Sequence, residues 1–352
     1  MRLFVINLFV FLFIFFVCEC LLRVVFSSNT VLNINIGGYK EYHPTRGAKL
    51  KPNYSVGDIN TNSHSFLGPE FDIGNSQNNL RILTIGNSVT FAPDKRNYSR
   101  VLEDKLKNKF DNIEVICGAV PGYDSFDVLD WHDEFFYKLK PDISIIYIGW
   151  NDLGQFQPFG LKYKTEKLSY SRKTIRGFLE ENLFLMRIPY FFIGRAERQK
   201  PVDNSEMTDI EKDALSQFYP SHYLNNLNAL IKKLKGNGTK VYVIPLAGLV
   251  THKNITQEEK QLIRFPRGMN RKYDLYKGTY LKYTQALDSV IKINNVEMID
   301  IRELIKTPAD REIFTDDCHI NLEGAEVFGS FISESISEYV DSLQNLRNYN
   351  FE

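Results

Sequence analysis

Short apolar runs recur along the chain, and stretches with a helical period separate them. The runs are rich in Val, Ile and Leu, which is typical of buried parallel strands. They are Leu80–Ile85, Ile113–Cys117, Ile143–Ile148, Lys240–Pro245 and Val296–Ile299. The stretches between them predict helices, including Tyr98–Phe110, Ser125–Leu139, Tyr223–Lys235 and Tyr280–Ile293. This alternation predicts an α/β domain with a five-stranded parallel sheet, whose functional residues gather at the carboxyl ends of the strands.

The N-terminus carries a different pattern. Residues 3–18 are almost all apolar, and Glu19 and Arg23 are the charged residues just beyond them. A helix needs about 20 residues to cross a membrane, and the run reaches this length if its charged end extends to the interface. We expect residues 1–26 to form an uncleaved single-pass anchor; a cleaved signal peptide and a buried helix are the alternatives. Arg2 favours a cytoplasmic N-terminus, so the domain would lie outside the cytoplasm, in the periplasm or the extracellular space.

Two further segments depart from the strand–helix alternation. Residues 27–78 are rich in Asn, Gly, Ser, Tyr and Pro, which predicts an irregular leader or tether. We place the folded domain at residues 79–345, with a variable insertion at about residues 153–221. The insertion holds an aromatic and aliphatic stripe between Phe178 and Ile193. Two interpretations of the stripe stay open: a helix and turn packed on the core, or a lid or membrane-surface element.

Composition excludes several classes of function. Lys plus Arg and Asp plus Glu both number 43, so the formal net charge is zero. A chain without a basic excess gives no sign of a nucleic-acid partner, and no nucleotide-binding loop is apparent. The histidines other than His319 are scattered, without the Cys or carboxylate pattern of a metal site. We therefore expect no nucleic acid, no metal and no cofactor.

Two polar segments directly follow apolar runs. Ser88 ends the segment Gly86-Asn87-Ser88, where a buried strand turns into a loop or helix. Such a position holds a hydroxyl at the sheet edge among backbone N–H groups, as a nucleophile needs. Asn151 lies in Gly149-Trp150-Asn151-Asp152, and its amide can donate to a developing oxyanion. Each segment taken alone is better explained as a strand-end turn or a helix cap.

Asp316 and His319 supply the remaining groups of such a site. A carboxylate three residues before a histidine can accept a hydrogen bond from one ring nitrogen while the other nitrogen faces a serine. The pair alone equally fits a surface cap or half of a metal site. Together with Ser88 and Asn151, it completes the minimum equipment for serine-based acyl transfer.

Four segments of the chain, taken in their order along the sequence, resemble the sequence blocks of the SGNH, or GDSL, hydrolase superfamily. Within this superfamily, the chain most resembles the membrane-anchored bacterial branch. The segments are Gly86-Asn87-Ser88, Ala119 to Gly122, Gly149-Trp150-Asn151-Asp152 and Asp316-x-x-His319. The resemblance implies a flavodoxin-like three-layer α/β/α fold. It also implies that Ser88 is the nucleophile, His319 the general base and Asp316 the orienting residue. The implied oxyanion hole consists of the N–H groups of Ser88 and Ala119 and the side chain of Asn151.

Two positions depart from the superfamily's pattern. Asn87 stands where Asp is usual, which removes a charge beside the nucleophile but keeps hydrogen-bonding capacity. Ala119 stands where Gly is usual, so its N–H can serve only if this residue does not need a positive φ. Both changes leave open a protein with altered or lost activity.

The expected function is an extracytoplasmic, membrane-tethered serine esterase that removes O-acyl groups, acetyl first among them, from cell-envelope glycans or related esters. The reaction would pass through an acyl-serine intermediate. Its partners would be an acylated carbohydrate, or another small ester, and the membrane. Two alternatives stay open: an O-acyltransferase acting on glycans, and a catalytically silent glycan-binding or assembly protein. A further hypothesis pairs Cys117 with Cys318 as a disulfide, because both lie near the same end of the predicted sheet.

Overall fold

The computed structural model describes residues 2–25, 38–74, 79–92, 97–160, 200–252, 254–266, 268–305 and 309–351. The chain divides into two compact units, Met1–Lys51 with Glu166–Pro201, and Pro52–Thr165 with Val202–Glu352. The aromatic stripe of the predicted insertion lies outside the described residues.

The first unit contains a helix and a hairpin. Helix α1 spans Arg2–Val25, and the hairpin pairs β1 (Lys40–His43) with β2 (Gly47–Leu50) in antiparallel register. Among the residues whose side chains the structure describes, no helix is both long and apolar enough to cross a membrane.

The second unit is built on a five-stranded parallel sheet. The strands are β5 (Leu80–Gly86), β6 (Ile113–Ala119), β7 (Ile143–Tyr147), β8 (Lys240–Val243) and β9 (Glu297–Met298), in the order β6-β5-β7-β8-β9. A short hairpin of β3 (Ser55–Val56) and β4 (Ile59–Asn60) precedes them. Strands β5 and β7 are buried at every residue, because parallel strands are covered on both faces. The predicted α/β class with a five-stranded parallel sheet is confirmed.

Helices connect these strands, and the strand order sorts the connections onto two faces. The helices are α2 (Ser88–Phe91), α3 (Tyr98–Lys107), α4 (Ser125–Trp131), α5 (Tyr137–Leu139), α6 (Trp150–Gln155), α7 (Asp209–Gln217), α8 (Ser221–Gly236), α9 (Gln257–Leu262), α10 (Tyr273–Asn294) and α11 (Leu322–Phe351). Strand β6 follows β5 along the chain and lies on one side of it in the sheet, whereas β7, β8 and β9 follow one another on the other side. Because parallel crossovers are right-handed, this reversal puts α3 on one face and α4, α8 and α10 on the other. The contacts agree with two outer layers: α11 packs on α3, and α8 packs on α4 and α10.

One predicted helix is interrupted. The pattern over residues 125–139 predicts a single helix, but a π-helical turn, His132–Phe136, separates α4 from α5. In a regular α-helix, residues five apart point in different directions; the wider turn brings Trp131 and Phe136 together, with ring centroids 4.5 Å apart. Both rings also pack against Phe66. Tertiary packing of these aromatic rings therefore accompanies the change of helix type.

The residues before β5 cover an edge of the sheet. Leu67 forms an antiparallel bridge with Cys117 of β6, the outermost strand on that side. Upstream of Leu67, the side-chain oxygen of Asn62 accepts hydrogen bonds from the N–H groups of His64 and Phe66. An edge strand that is paired in this way presents fewer free backbone groups. This part of the predicted leader is thus an ordered element of the second unit.

Candidate active site

Ser88 is the first residue of α2, which begins directly after β5. Asn87 caps this helix, since its side-chain oxygen accepts a hydrogen bond from the N–H of Val89 at 3.2 Å. Gly86 leaves room for the turn, because a Cβ there would lie 2.0 Å from Oγ1 of Thr90. The strand, the glycine and the cap together hold the Ser88 hydroxyl at the carboxyl edge of the sheet. As the first helical residue, Ser88 also has a backbone N–H that no helical carbonyl can accept.

Ser88, His319 and Asp316, here called the candidate triad, come together from distant parts of the chain. Nε2 of His319 lies 2.8 Å from Oγ of Ser88. Nδ1 of His319 lies 2.9 Å from both carboxylate oxygens of Asp316. These are hydrogen-bond lengths, so the carboxylate holds the imidazole with Nε2 free to accept the hydroxyl proton. The structure brings together all three residues that the sequence singled out for this role.

The Asp316 carboxylate is buried but richly supplied with donors. Its Oδ1 accepts the backbone N–H groups of Cys318 at 3.0 Å and of His319 at 2.9 Å. Its Oδ2 lies 2.8 Å from the guanidinium of Arg264. Burial acts to raise the pKa of Asp316, but the hydrogen bond from His319 and the charges of His319 and Arg264 outweigh it and lower the pKa well below the ordinary value. Asp316 therefore stays ionised at neutral pH, as a carboxylate that supports an imidazolium must.

Asn151 lies in the first turn of α6, next to the end of β7. Its Nδ2 donates a hydrogen bond to the carbonyl oxygen of Tyr123 at 2.8 Å. This bond fixes the orientation of the amide, and the second N–H of the same nitrogen is available for another acceptor. Gly149, just before α6, has φ of 133°, and a Cβ there would lie 3.0 Å from the ring of Tyr223. A glycine is thus required where β7 leads to Asn151.

Ala119 ends β6 and is paired in register with Gly86 of β5. Ala119 is absent from the described residues that have a positive φ, so its methyl group causes no backbone strain. The conformational objection to an N–H donor at this position is therefore removed. Ala119 is fully buried, and its place in the oxyanion hole stays a prediction. The preceding residue, Gly118, has less room: a Cβ there would lie 2.9 Å from Leu83 and 3.0 Å from Phe136.

Asp152 and Arg264 are site residues to which the sequence analysis gave no role. Asp152 is fully buried and accepts hydrogen bonds from the hydroxyl of Ser125 at 2.5 Å and from its N–H at 2.9 Å. This links α6, which carries Asn151, to the start of α4. Asp152 is visible in the sequence as the neighbour of Asn151, whereas no local signal marks Arg264. Burial, together with the smaller effect of the Asp152 charge, raises the pKa of nearby Asp124 to about 7.

Cys117 and Cys318 are free thiols, so the hypothesis of a disulfide between them is wrong. The sulfur of Cys117 contacts the side-chain amide of Asn97 at 3.6 Å, whereas that of Cys318 lies 3.7 Å from Nδ1 of His319. The two sulfur atoms thus face different neighbours.

A metal ion would compete with the candidate triad. Asp316, Cys318 and His319 each place one potential ligand atom within 4.8 Å of the others. However, Asp316 and His319 use these atoms to bond each other, and burial raises the pKa of the Cys318 thiol. The arrangement thus favours proton transfer over metal binding.

A serine, a histidine and an aspartate hydrogen-bonded in series at the carboxyl edge of a parallel sheet form the arrangement of a serine-type hydrolase. The sequence model of the GDSL-like lipase/acylhydrolase family matches residues 84–327. The match spans more than half of the chain, and the protein belongs to this family. The predicted superfamily is therefore confirmed.

Several solved structures are similar to the chain at low sequence identity. A GDSL-like lipase from Bacteroides thetaiotaomicron VPI-5482 is 14% identical with a TM-score of 0.43, over 74% of this chain and 89% of that one. An acetyl xylan esterase is 16% identical with a TM-score of 0.44, over 73% and 99% of the two chains. A lipase/acylhydrolase from Enterococcus faecalis is 16% identical with a TM-score of 0.42, over 74% and 96%. Comparison with curated protein sequences gives no match.

Proposed function

We propose that the protein is a serine esterase that cleaves O-acyl esters, with Ser88 as nucleophile, His319 as general base and Asp316 as the orienting carboxylate. The observation that carries the proposal is the continuous series of hydrogen bonds from Oγ of Ser88 through the imidazole to the carboxylate. Membership of a family of lipases and acylhydrolases supports ester cleavage as the reaction class.

The reaction begins with acylation of Ser88. Nε2 of His319 accepts the hydroxyl proton while Oγ attacks the carbonyl carbon of the ester. The carbonyl oxygen becomes an oxyanion, which the N–H groups of Ser88 and Ala119 and the second amide hydrogen of Asn151 stabilise. The imidazolium then gives its proton to the departing alkoxide. An alcohol leaves, and the acyl group remains on Ser88.

Deacylation repeats these steps with water. Nε2 of His319 takes a proton from a water molecule as the water oxygen attacks the acyl carbon. When the tetrahedral intermediate collapses, Oγ of Ser88 regains the proton and the carboxylic acid leaves. In both halves, the charge of Asp316 stabilises the transient imidazolium, and this is the role for which its ionised state is suited.

The proposed substrates are O-acylated glycans of the cell envelope or related small esters, with acetyl as the first acyl group to test. The N-terminal apolar run supports a location outside the cytoplasm with a membrane tether. The ester chemistry of the family supports the bond that is cleaved. The side chain of His319 is 30% exposed, which suits a base that must meet both substrate and water.

Labelling and hydrolysis together test the proposal. The parent protein should hydrolyse a small acetyl ester and react with a fluorophosphonate probe, with the label mapped to Ser88 by mass spectrometry. Ser88→Ala should lose both the labelling and the hydrolysis. A Ser88→Ala protein that hydrolyses the ester as fast as the parent would show that the nucleophile lies elsewhere. Product analysis with an acetylated glycan and an acceptor glycan then separates hydrolysis from acyl transfer.

A further inference from the structure

Arg264 lies behind the candidate triad, two residues beyond the end of α9. Its guanidinium lies 2.8 Å from Oδ2 of Asp316, the oxygen that does not receive the two backbone N–H groups. The Asp316 side chain is 8% exposed, whereas the Arg264 side chain is 59% exposed. A side chain that is mostly in solvent contributes little to core packing. The significance of Arg264 therefore lies in the charge that it places against the carboxylate.

Asp316 does not lie alone in this loop. Asp317 is buried beside it; the hydroxyl of Tyr276 donates to Oδ2 of Asp317 at 2.9 Å, and Oδ1 has no partner among the described atoms. Adjacent buried carboxylates repel each other, and burial together with the charge of Asp316 raises the pKa of Asp317. The charge of Arg264 acts in the opposite direction and lowers the pKa of both carboxyl groups.

The remaining group that faces Asp316 adds no charge. Cys318 is buried, and burial raises the pKa of its thiol well above the ordinary value, so this thiol is neutral. His319 therefore lies near the negative charge of Asp316 and the positive charge of Arg264, which contacts Oδ2 of the same carboxylate. Asp317 is a third charged group in this loop, and because its pKa is raised to about 6, its charge changes in weakly acidic solution.

We propose that Arg264 is a positioning residue whose guanidinium offsets part of the charge of Asp316 and thereby sets the position of the acid limb of the kcat/KM profile. The inference rests on the proposed function, because it requires His319 to take the proton of Ser88. The carboxylate stabilises the imidazolium, and the guanidinium opposes this. Removing the guanidinium therefore favours the imidazolium formed during the reaction, and the acid limb of the kcat/KM profile moves to higher pH.

The size of the shift follows from Coulomb's law. The guanidinium and the imidazole are separated by the carboxylate, so their charges lie roughly 7 Å apart. Because the guanidinium is largely in solvent, the effective dielectric constant lies toward the bulk-water value of about 80, which gives a shift of about half a pH unit. The shift should shrink in about 1 M salt, since exposed charges are screened.

The test compares pH profiles of kcat/KM for a neutral acetyl ester. Arg264→Gln should move the midpoint of the acid limb upward by about half a pH unit, and Arg264→Lys should restore most of the parent midpoint. Arg347→Gln is the matched control: Arg347 forms a similar ion pair with Asp142 at 2.6 Å, at the opposite edge of the sheet, where β7 begins. This control should leave the midpoint unchanged. The rate of fluorophosphonate labelling against pH gives the same readout if hydrolysis by a variant is slow.

The possible outcomes separate this inference from the proposed function. A parent protein that neither labels at Ser88 nor hydrolyses esters contradicts the proposed function itself. An active parent with the same acid midpoint in Arg264→Gln overturns the role of Arg264 alone. An unchanged midpoint together with a raised KM for an anionic ester would also overturn it, by showing that Arg264 binds substrate. An upward shift in Arg264→Gln that Arg264→Lys reverses, and that also appears when both are made in an Asp317→Asn background, supports the inference. A shift that disappears in the Asp317→Asn background overturns it, because Asp317 is then the group that responds to Arg264.

Discussion

Replacing Asp316 with asparagine perturbs the candidate triad while keeping its shape. The new amide oxygen can accept the N–H groups of Cys318 and His319, as Oδ1 of Asp316 does. The new NH₂ group then faces Nδ1 of His319 and the guanidinium of Arg264, where Oδ2 of Asp316 now accepts. An amide nitrogen donates and cannot accept a proton from Nδ1. The imidazole must therefore carry its proton on Nε2, the tautomer that cannot take the proton of Ser88.

The expected loss is large because two effects add. The base is in the wrong tautomer, and the imidazolium loses the negative charge that stabilises it. An aspartate-to-asparagine change of this kind in a serine–histidine–aspartate triad lowers kcat by about 10⁴. Since each tenfold in rate corresponds to about 1.4 kcal/mol, this amounts to about 5.5 kcal/mol of transition-state stabilisation. The KM for a small ester should change little, because Asp316 does not face the substrate.

The assay is hydrolysis of a chromogenic acetyl ester by purified parent and variant, with circular dichroism to verify folding. Asp317→Asn is the control, because Asp317 is an equally buried neighbour that contacts Tyr276 and not His319. We expect this control to keep kcat within about tenfold of the parent. A folded Asp316→Asn protein with kcat within tenfold of the parent would refute the assignment of the orienting carboxylate.

Three further predictions concern the surroundings of the site. Asn151→Ala should lower kcat by about 10²–10³ with little change in KM, because it removes an oxyanion donor. Gly149→Ala should lower the free energy of unfolding by about 1–3 kcal/mol, since φ is 133° and a Cβ would meet the ring of Tyr223; urea titration measures this. Asp124→Asn keeps a capping side chain and should reduce the decline of stability with rising pH. Because the pKa of Asp124 is raised to about 7 in the folded protein, this carboxyl stabilises the fold at low pH, and the stabilisation is lost as the pH rises toward 7. Urea titrations at pH 5 and pH 8 measure the loss of unfolding free energy between these two pH values. This loss should be about 1–2 kcal/mol smaller in the variant than in the parent.

Each of these predictions has a clear contrary result. An unchanged kcat in Asn151→Ala would remove this side chain from the oxyanion hole. A Gly149→Ala protein as stable as the parent would show that the end of β7 has room for a methyl group. A parent-like pH dependence in Asp124→Asn would show that the Asp124 carboxyl is already ionised in the folded protein at pH 5.

The strands could be located from the sequence because burial on both faces leaves a continuous apolar run. Leu80–Ile85 and Ile113–Cys117 were predicted, and the structure extends them to Gly86 and Ala119. The extra residues are small and carry no apolar signal, although they form the edge on which the site is built. The π-helical turn at His132–Phe136 could not be predicted, since it depends on aromatic partners elsewhere in the fold.

The sequence by itself determined the α/β class and the sheet, because buried strands leave apolar runs along the chain. It indicated the residues of the candidate triad only through the ordered combination of segments that resembles a family, since each segment alone fits a turn or a cap. Only the tertiary structure decided that Arg264 pairs with Asp316, that Asp152 joins α6 to α4, and that the cysteines stay apart. The physical reason is that an ion pair or a hydrogen bond joins whichever groups folding brings within about 3 Å. No spacing along the chain encodes which of its many charged residues will meet.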